Sequence, residues 1–490
     1  MISLLLSLLA LVLGYMLYGR VVERVFGPDD RVTPAVAKAD GLDYIVMPGW
    51  KVFMIQFLNI AGTGPIFGAI MGAMFGSVAF LWIVFGCIFA GAVHDYMSGM
   101  LSMRHDGAGL PELVGQYLGH RTKALALVFT VLLLIMVGTV FVYSPADILS
   151  TMWGDKMIWV VVIFVYYVIA TMLPIDKIIG RIYPLFAFSL LFMAGALLVV
   201  LFGKWPEIPE VWNHFYNMGA ESMPDTWTDN IFPCLFITIA CGAISGFHAT
   251  QSPLMARCIK SEKMGRPMFY GAMITEGAVA LIWAAVASWF FYNEPQAGYM
   301  GIEGADGLHT SAANVVNLVC RDWLGIVGAV LAILGVVAAP ITSGDTAFRS
   351  ARLIIAEAMR MDQKPIPHRL LIGVPLFAVS IGVLYWQTAN PDGFKTVWQY
   401  FGWSNQMLSV FTLWTATVYL VRKGKCFWIT LIPALFMTTV CTTFLFISGQ
   451  MLSLPATIAY PAGLGCLLVA VVWFVTWFVR RKRIRTNIAK

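Results

Sequence analysis

The chain has 490 residues, of which 59% are hydrophobic and only 12% are charged, and its mean hydropathy is +0.78. Because soluble proteins carry about twice that share of charge, these values exclude an ordinary soluble protein and indicate a helical protein that crosses the membrane many times. The net charge is +6, and the basic tail RRKRIRTNIAK at 480–490 is typical of an anchor for lipid head groups, so we expect no nucleic-acid partner.

Thirteen apolar runs are long enough to span a bilayer, and the first lacks the basic start and the cleavage site of a signal peptide. If the N-terminus lies outside, all but four of the 32 Lys and Arg fall inside, so the positive-inside rule predicts an N-out, C-in topology. The runs lie at 2–19, 51–76, 77–103, 122–144, 157–174, 182–203, 230–258, 267–292, 323–346, 369–386, 396–421, 426–447 and 455–479.

The second run contains the helix-breaking stretch NIAGTGPIFG at 59–68. We predict an interruption at Gly62, Thr63 and Gly64, followed by a half-helix that begins near 66, just after Pro65. Irregular backbone inside a membrane is tolerated only beside protein or a cavity, and the free N–H groups of the half-helix would form a seat for a carboxylate. The glycines at 64, 68, 72 and 76 run along one helix face and permit close packing against a neighbour. A Gly-rich packing helix with a kink is the alternative.

A second interruption is predicted at 240–250, where the run 230–258 contains ACGAISGFHAT. Breaks at corresponding places in two halves of a chain point to the substrate site of a transporter. Each break opens a set of five runs, and an odd number gives the two sets opposite topologies, as in an inverted repeat. The predicted segments are an N-terminal helix and loop (1–50), the first repeat (51–203), the second repeat (230–421) and two C-terminal helices with the tail (422–490).

Three acidic residues lie at or near membrane depth, where a carboxylate is costly and usually functional. Asp95 is a candidate coupling residue, and a structural bond to a hydroxyl or to the adjacent His94 is the alternative. Glu276 lies near the middle of its run, where it could carry a transported proton, or else hold a broken helix. Asp345 precedes Arg349 by four residues, which predicts an ion pair, with a role as a cation ligand as the alternative.

Several polar residues complete a predicted substrate site. His248 could donate to a substrate carboxylate or carry a proton, and a buried packing histidine is the alternative. Asn405 and Gln406 lie in an apolar run, so they either line a cavity or bond across helices. The other members of this predicted site are Gly62, Thr63, Gly64, Gly242, Ser245 and Gly246.

The break pattern resembles the five-plus-five inverted repeat of the LeuT-like transporters, with one extra helix before it and two after it. NIAGTG at 59–64 is similar to a motif of their first core helix, and AAPITSGD at 338–345 is similar to their eighth. These segments of the family supply oxygen ligands to sodium, and hard cations prefer oxygen. The resemblance implies a possible sodium site formed by Leu58, Ala61, Ala339, Thr342 and Ser343.

Longer stretches resemble the carbon starvation protein family, CstA. They are NIAGTGPIFG, AGAVHDYMSGMLSMRHDGAGLPELV, FPCLFITIACGAISGFHA, PITSGDTAFRSAR and FGWSNQML. The resemblance implies a multi-pass transporter of the bacterial inner membrane, used under carbon limitation. Family members are associated with peptide uptake and with pyruvate uptake coupled to protons.

The leading hypothesis is a secondary transporter that imports a small carboxylate such as pyruvate together with a proton or a sodium ion, without a cofactor. A peptide is the alternative substrate, and a membrane nutrient sensor with little flux is the alternative class. The enzyme motifs HExxH and GxSxG are absent, so we expect no enzymatic activity. The sequence leaves the oligomeric state open.

Overall fold

The protein is described from a computed structural model over residues 1–41, 43–150, 153–172, 175–219, 230–293, 312–363, 365–390 and 393–488. Throughout these ranges every regular element is helical. The main helices are α1 (Ile2–Phe26), α2 (Gly49–Ala61), α3 (Gly64–Ala73), α4 (Val78–Arg104), α5 (Leu110–Leu118), α6 (His120–Ser150), α7 (Lys156–Met172), α8 (Ile175–Lys204), α9 (Ile231–Thr238), α10 (His248–Ala256), α11 (Glu262–Tyr292), α12 (Ala312–Ala358), α13 (Ile366–Ala389), α14 (Gly393–Lys423), α15 (Trp428–Ile447) and α16 (Ala456–Ile488).

Each of the thirteen apolar runs coincides with one helix or with a pair of helices. Among the described residues, eight single helices are long and apolar enough to cross a membrane, and the α2–α3 pair, bent by 53°, is a ninth candidate. The remaining runs coincide with the shorter α7, the α9–α10 pair, α12 and α14. The fold is therefore that of an all-helical, multi-pass membrane protein. The count of thirteen spans, the N-out orientation and the repeat boundaries stay predictions.

The first break is formed by Gly62, which has a left-handed backbone conformation (φ 47°). A Cβ at this position would lie 2.6 Å from the Phe141 ring, so both the backbone and the packing require glycine. The new helix, α3, begins at Gly64 with Pro65 in its first turn, where the missing N–H costs nothing. The predicted break is confirmed, and α3 begins two residues earlier than expected.

The second break separates α9 from α10 by nine residues of turns at 239–247. Gly242 is left-handed here (φ 91°), and a Cβ on it would lie 2.5 Å from the Cβ of Ala280 on α11. The predicted interruption is confirmed, and it is longer than the first break. Its backbone polar groups lie deep in the protein, where each needs a partner.

The two broken helices pack directly on each other through the glycine face of α3. Side chains at Gly64 and Gly72 would overlap those of Cys241 and Ile239, and a Cβ at Gly68 would lie 3.0 Å from the Thr238 carbonyl oxygen. The predicted role of this glycine face in close packing is thereby confirmed, because only glycine allows the helices to approach so closely. This contact places the two breaks side by side.

Arg104 joins the ends of four helices outside this core. Its guanidinium donates to Glu262 of α11 at 2.9 Å, to the Tyr419 hydroxyl of α14 at 2.7 Å and to the Gly27 carbonyl after α1 at 2.8 Å. The group also lies 4.1 Å from the centre of the Phe26 ring. The planar fork of arginine suits such a multiple contact.

Candidate transport site

Asp95 of α4 lies at the centre of a buried polar cluster. One carboxylate oxygen lies 2.8 Å from Nδ1 of His94, and the other lies 2.8 Å from Nδ1 of His248 at the start of α10. All three side chains are completely buried. With Asp95 ionised, both Nδ1 atoms donate, so each imidazole carries its hydrogen on that nitrogen. The bond to His94 that was weighed as an alternative is present, together with a second bond that links α4 to the second break.

Glu276 of α11 extends the cluster. Its Oε2 lies 3.4 Å from Nε2 of His248, so one imidazole lies between the carboxylates of Asp95 and Glu276. Ligand atoms of His248, Glu276 and Cys241 all lie within 4.8 Å of one another, and all three residues are buried. Three elements that are distant in sequence therefore meet at His248. Imidazole and carboxyl groups are the side chains that hold and exchange protons most readily, and three of them are neighbours here.

The helix α4 contains a π-helical turn at Cys87–Gly91, just before His94 and Asp95. Such turns insert one extra residue into a helix and are frequent at functional sites. Here the turn lies against α11, since the Cys87 thiol donates to the carbonyl of Met273 at 3.4 Å. The local geometry of α4 and its packing on α11 together set the position of Asp95 relative to Glu276.

A cleft lies beside the cluster, between the two breaks. It is narrow, with a cavity volume of about 10 Å³, which is room for roughly one water molecule. Its walls come from α3, from α9, from the second break and from α14. Its lining residues are Gly64, Gly68, Ile237, Thr238, Ala240, Cys241, Trp398, Phe401 and Gly402. Cys241 belongs to both the cleft and the cluster, so the cleft leads toward His248 and Glu276.

Side chains from α4 and α14 complete the hydrogen bonds of the second break. Asn405 accepts from the Phe247 N–H at 2.6 Å and from the Ser245 hydroxyl at 3.1 Å. Gln406 donates to the carbonyl of Phe236 at 2.9 Å, and the Trp82 indole donates to that of Ile239 at 2.9 Å. Of the two roles considered for Asn405 and Gln406, the structure shows bonding across helices.

Of the predicted substrate residues, some pack against other helices and one lines the cleft. Gly246 lies so close to α14 that a Cβ would overlap the backbone of Asn405 and Ser409. Thr63 is buried beside Gly62, and its hydroxyl has no hydrogen-bond partner among the described residues. Gly64 is the predicted residue that lines the cleft. Substrate contact by Gly62, Thr63, Gly242, Ser245, Gly246, His248, Asn405 and Gln406 stays a prediction.

Part of the predicted sodium site lies where α2 packs against α12, and one contact, between Ser343 and Leu58, joins the two helices. The Ser343 hydroxyl donates to the Leu58 carbonyl at 3.0 Å, and the Thr342 hydroxyl donates to the Ala339 carbonyl at 2.8 Å. Both hydroxyls are fully buried, and Ala61 is the last residue of α2. Carbonyl oxygens at an interrupted helix end and buried hydroxyl oxygens are suitable ligands for a hard cation. The role of these residues stays a prediction.

The predicted ion pair between Asp345 and Arg349 is wrong. Asp345 accepts a hydrogen bond from the Tyr183 hydroxyl of α8 at 2.7 Å, while Arg349 donates to the Ala170 carbonyl at the end of α7 at 2.8 Å. Both side chains are buried, and tertiary partners replace the local pair that the spacing favoured on a free helix. A direct partner of Asp345 on another helix could not be read from the local pattern.

Sequence reasoning also missed several members of the site. Cys241 was not singled out by the sequence analysis, and His94 was noted only as a structural partner of Asp95. The aromatic wall of the cleft, Trp398 and Phe401, lies in an apolar run where aromatic residues are common. The sequence did contain a signal for His94: an adjacent His and Asp inside an apolar run are costly to bury, which indicates a functional role for both residues.

Comparison with known proteins gives the family and the fold. The carbon starvation protein CstA family matches residues 1–153, 145–319 and 298–444. A peptide transporter CstA of Campylobacter jejuni is 27% identical over 87% of this chain and 77% of its own length. The pyruvate/proton symporter BtsT of Escherichia coli is 25% identical over 88% of this chain and 78% of its own length.

An uncharacterized membrane protein of Haemophilus influenzae is 46% identical over 59% of this chain and 90% of its own length. Among solved structures, a Na⁺-coupled sialic acid symporter aligns over 95% of this chain and 96% of its own, with 14% identity and a TM-score of 0.53. A manganese transporter of Eremococcus coleocola aligns over 91% and 99%, with 12% identity and a TM-score of 0.56. This chain therefore belongs to the carbon starvation protein CstA family and is a multi-pass membrane transporter whose fold resembles that of these two solved transporters.

Proposed function

We propose that the protein imports a small carboxylate nutrient such as pyruvate in symport with a proton. The observation that carries the proposal is the buried chain Asp95–His248–Glu276, which lies beside a cleft formed where the two broken helices meet. Sequence similarity to a relative named as a pyruvate/proton symporter supports the same function. We expect the bacterial plasma membrane as its location, because the named relatives are transporters of bacteria.

The proton would be held by His248 and its two carboxylate neighbours. The imidazole links α4 on one side and α11 on the other, with 2.8 Å to Asp95 and 3.4 Å to Glu276. Gain or loss of one proton changes the attraction among these groups strongly, because they are buried away from water. His248 is also the first residue of α10. Protonation would therefore bias the position of the second broken helix, which is the coupling that symport requires.

The carboxylate substrate would bind in the cleft at the start of α3. A helix N-terminus favours an anion mainly through its dipole, and Gly64 at this terminus lines the cleft. Pro65 has no N–H, and the N–H groups of Ile66 and Phe67 donate to the Thr63 carbonyl, so Gly64 offers the N–H for a substrate. The rings of Trp398 and Phe401 supply an apolar wall for a methyl group. The second terminus contributes less, because Asn405 already accepts from the Phe247 N–H.

Sodium is the second candidate coupling ion. The buried oxygen donors of Leu58, Ala339, Thr342 and Ser343 would hold it, and they lie at the first break rather than at His248. Bound there, a cation would neutralise the carbonyl end of α2 and join it to α12. The two candidate sites share no residue, so variants can distinguish them.

Labelled pyruvate uptake into proteoliposomes tests the proposal, with proton and sodium gradients imposed separately. We expect a proton gradient to drive uptake and Glu276→Gln to abolish that drive, while Ser343→Ala retains it. Uptake driven only by sodium, and lost in Ser343→Ala, would move the coupling to the first break. If labelled di- or tripeptides are taken up and pyruvate is not, the substrate is a peptide. An absence of uptake for both would favour a sensor.

A second measurement tests the carboxylate. Lactate, acetate and pyruvamide are added as competitors of labelled pyruvate, and pyruvamide matches pyruvate in size but lacks the charge. We expect the acids to compete and the amide to fail. Equal competition by the amide would refute the role assigned to the start of α3.

A further inference from the structure

The buried cluster also contains a set of metal-binding donors. The Cys241 thiol, the His248 imidazole and the Glu276 carboxyl each present one ligand atom, and these atoms all lie within 4.8 Å of one another. In a tetrahedral zinc site, bonds of about 2.0–2.3 Å place ligand atoms roughly 3.5 Å apart. The distance between His248 Nε2 and Glu276 Oε2 is already 3.4 Å. We propose that Cys241, His248 and Glu276 bind a divalent transition-metal ion of the zinc class.

The ligand atoms of His248 and Glu276 face each other at 3.4 Å without forming a normal hydrogen bond. His248 Nε2 and both oxygens of Glu276 are buried and have no hydrogen-bond partner among the described residues. Unpartnered buried polar atoms are expensive, and three converging ones call for an occupant. The Cys241 sulfur lies 3.6 Å from the Ser245 hydroxyl, which is a weak contact that a metal ion can replace.

The surroundings match those of known zinc ligands. A metal-bound histidine usually donates its other N–H to a carboxylate, which orients the ring and makes the ligand more basic. Here Asp95 accepts from His248 Nδ1 at 2.8 Å and leaves Nε2 directed toward Glu276. Asp95 therefore acts as a positioning residue for this site. His94, on the other oxygen of Asp95, holds that carboxylate in place.

The donor types define the class of ion. A thiolate with an imidazole favours Zn²⁺, Co²⁺ or a similar ion over Mg²⁺, Ca²⁺ and Na⁺, which prefer oxygen ligands. The thiolate and one carboxylate neutralise a doubly charged ion, as a site removed from water requires. Entry is available through the cleft, since Cys241 forms part of its lining.

Metal binding would connect the second break to α11. Cys241 and His248 lie at opposite ends of the break, and Glu276 lies on α11, so a bound ion would clamp segments that must move during transport. We expect the ion to inhibit uptake. This inhibition rests on the proposed function, whereas the binding itself does not.

Co²⁺ binding to the full chain in detergent tests the site without any transport assay. We expect one equivalent of Co²⁺ to give a thiolate-to-metal absorption band that added Zn²⁺ removes. Cys241→Ser should abolish the band, and Asp95→Asn should weaken affinity by about tenfold to a hundredfold. Cys441→Ser, a buried cysteine on α15, is the matched control and should keep the band.

Two results would overturn the proposal. One is the absence of a thiolate band in the wild-type protein at saturating Co²⁺, a result that does not depend on the folding of any variant. The other is a band that persists in Cys241→Ser. If the band behaves as expected while pyruvate uptake is not proton-driven, the metal site stands and only the proposed function fails. If uptake is proton-driven and the wild-type band is missing, only the metal site fails.

Discussion

The substitution Asn405→Ala tests how the second break is stabilised. Asn405 is fully buried and accepts two hydrogen bonds, at 2.6 Å from the Phe247 N–H and at 3.1 Å from the Ser245 hydroxyl. Without the amide oxygen, the Phe247 N–H becomes a buried donor without a partner, which costs about 1–3 kcal/mol, and the bond to the hydroxyl adds about 1 kcal/mol. We expect the free energy of unfolding to fall by about 2–4 kcal/mol.

Reversible unfolding in mixed detergent micelles measures this loss. Asn390→Ala is the matched control, because that exposed side chain makes one local hydrogen bond to the Trp386 carbonyl at the end of α13. The control should cost less than about 0.5 kcal/mol. Ser245→Ala removes only the longer of the two bonds to Asn405 and should cost about 1 kcal/mol. If Asn405→Ala costs no more than the control, the break does not depend on this side chain, and the assigned structural role is refuted.

Three further substitutions test other contacts. Gly72→Leu should lower the free energy of unfolding by about 1–3 kcal/mol or more, because the glycine face of α3 lies against the second break. Gly195→Leu, with no atom within 4 Å of the added Cβ, should change it by less than about 0.5 kcal/mol, and equal losses would contradict the packing argument. Arg104→Lys should cost about 1.5–3 kcal/mol in the same assay, since a lysine cannot make all three bonds. Arg31→Lys, in a half-exposed ion pair, should cost less than about 1 kcal/mol. Partial burial raises the pKa of Glu210, but hydrogen bonds from the N-terminal ammonium and the first residues outweigh it, so the pKa lies below its ordinary value of 4.5. A carboxylate with a lowered pKa stabilises the folded protein above pH 4.5, and this stabilisation is lost as the pH falls further. The free energies of unfolding of the wild type and of Glu210→Gln should therefore differ at pH 6 and become equal in acid. A difference that does not change with pH would refute the assignment.

The class of protein and both helix breaks were determined by the sequence alone. Long apolar runs specify membrane helices, since a membrane requires every backbone group to bond within its own helix. Gly62 and Gly242 marked the breaks because their left-handed backbone is a local requirement that few other residues meet. The glycine face of α3 was also visible, since a spacing of four residues keeps side chains on one side of a helix. Backbone breaks and helix faces depend on residues that are close in sequence, so they can be predicted from the sequence.

Only the tertiary structure decided which side chains meet. Asp95 and His248 are 153 positions apart, and Asn405 lies 158 positions from the N–H that it accepts from. Asp345 contacts Tyr183 of another helix instead of the arginine one turn away, because packing between helices outweighs a weak local pair. The position of Cys241 in both the cleft and the cluster likewise follows from how α3, α9–α10 and α11 pack. A single sequence records the residues of each helix but not the rotation and depth at which helices meet, and these determine the chemistry of a buried site.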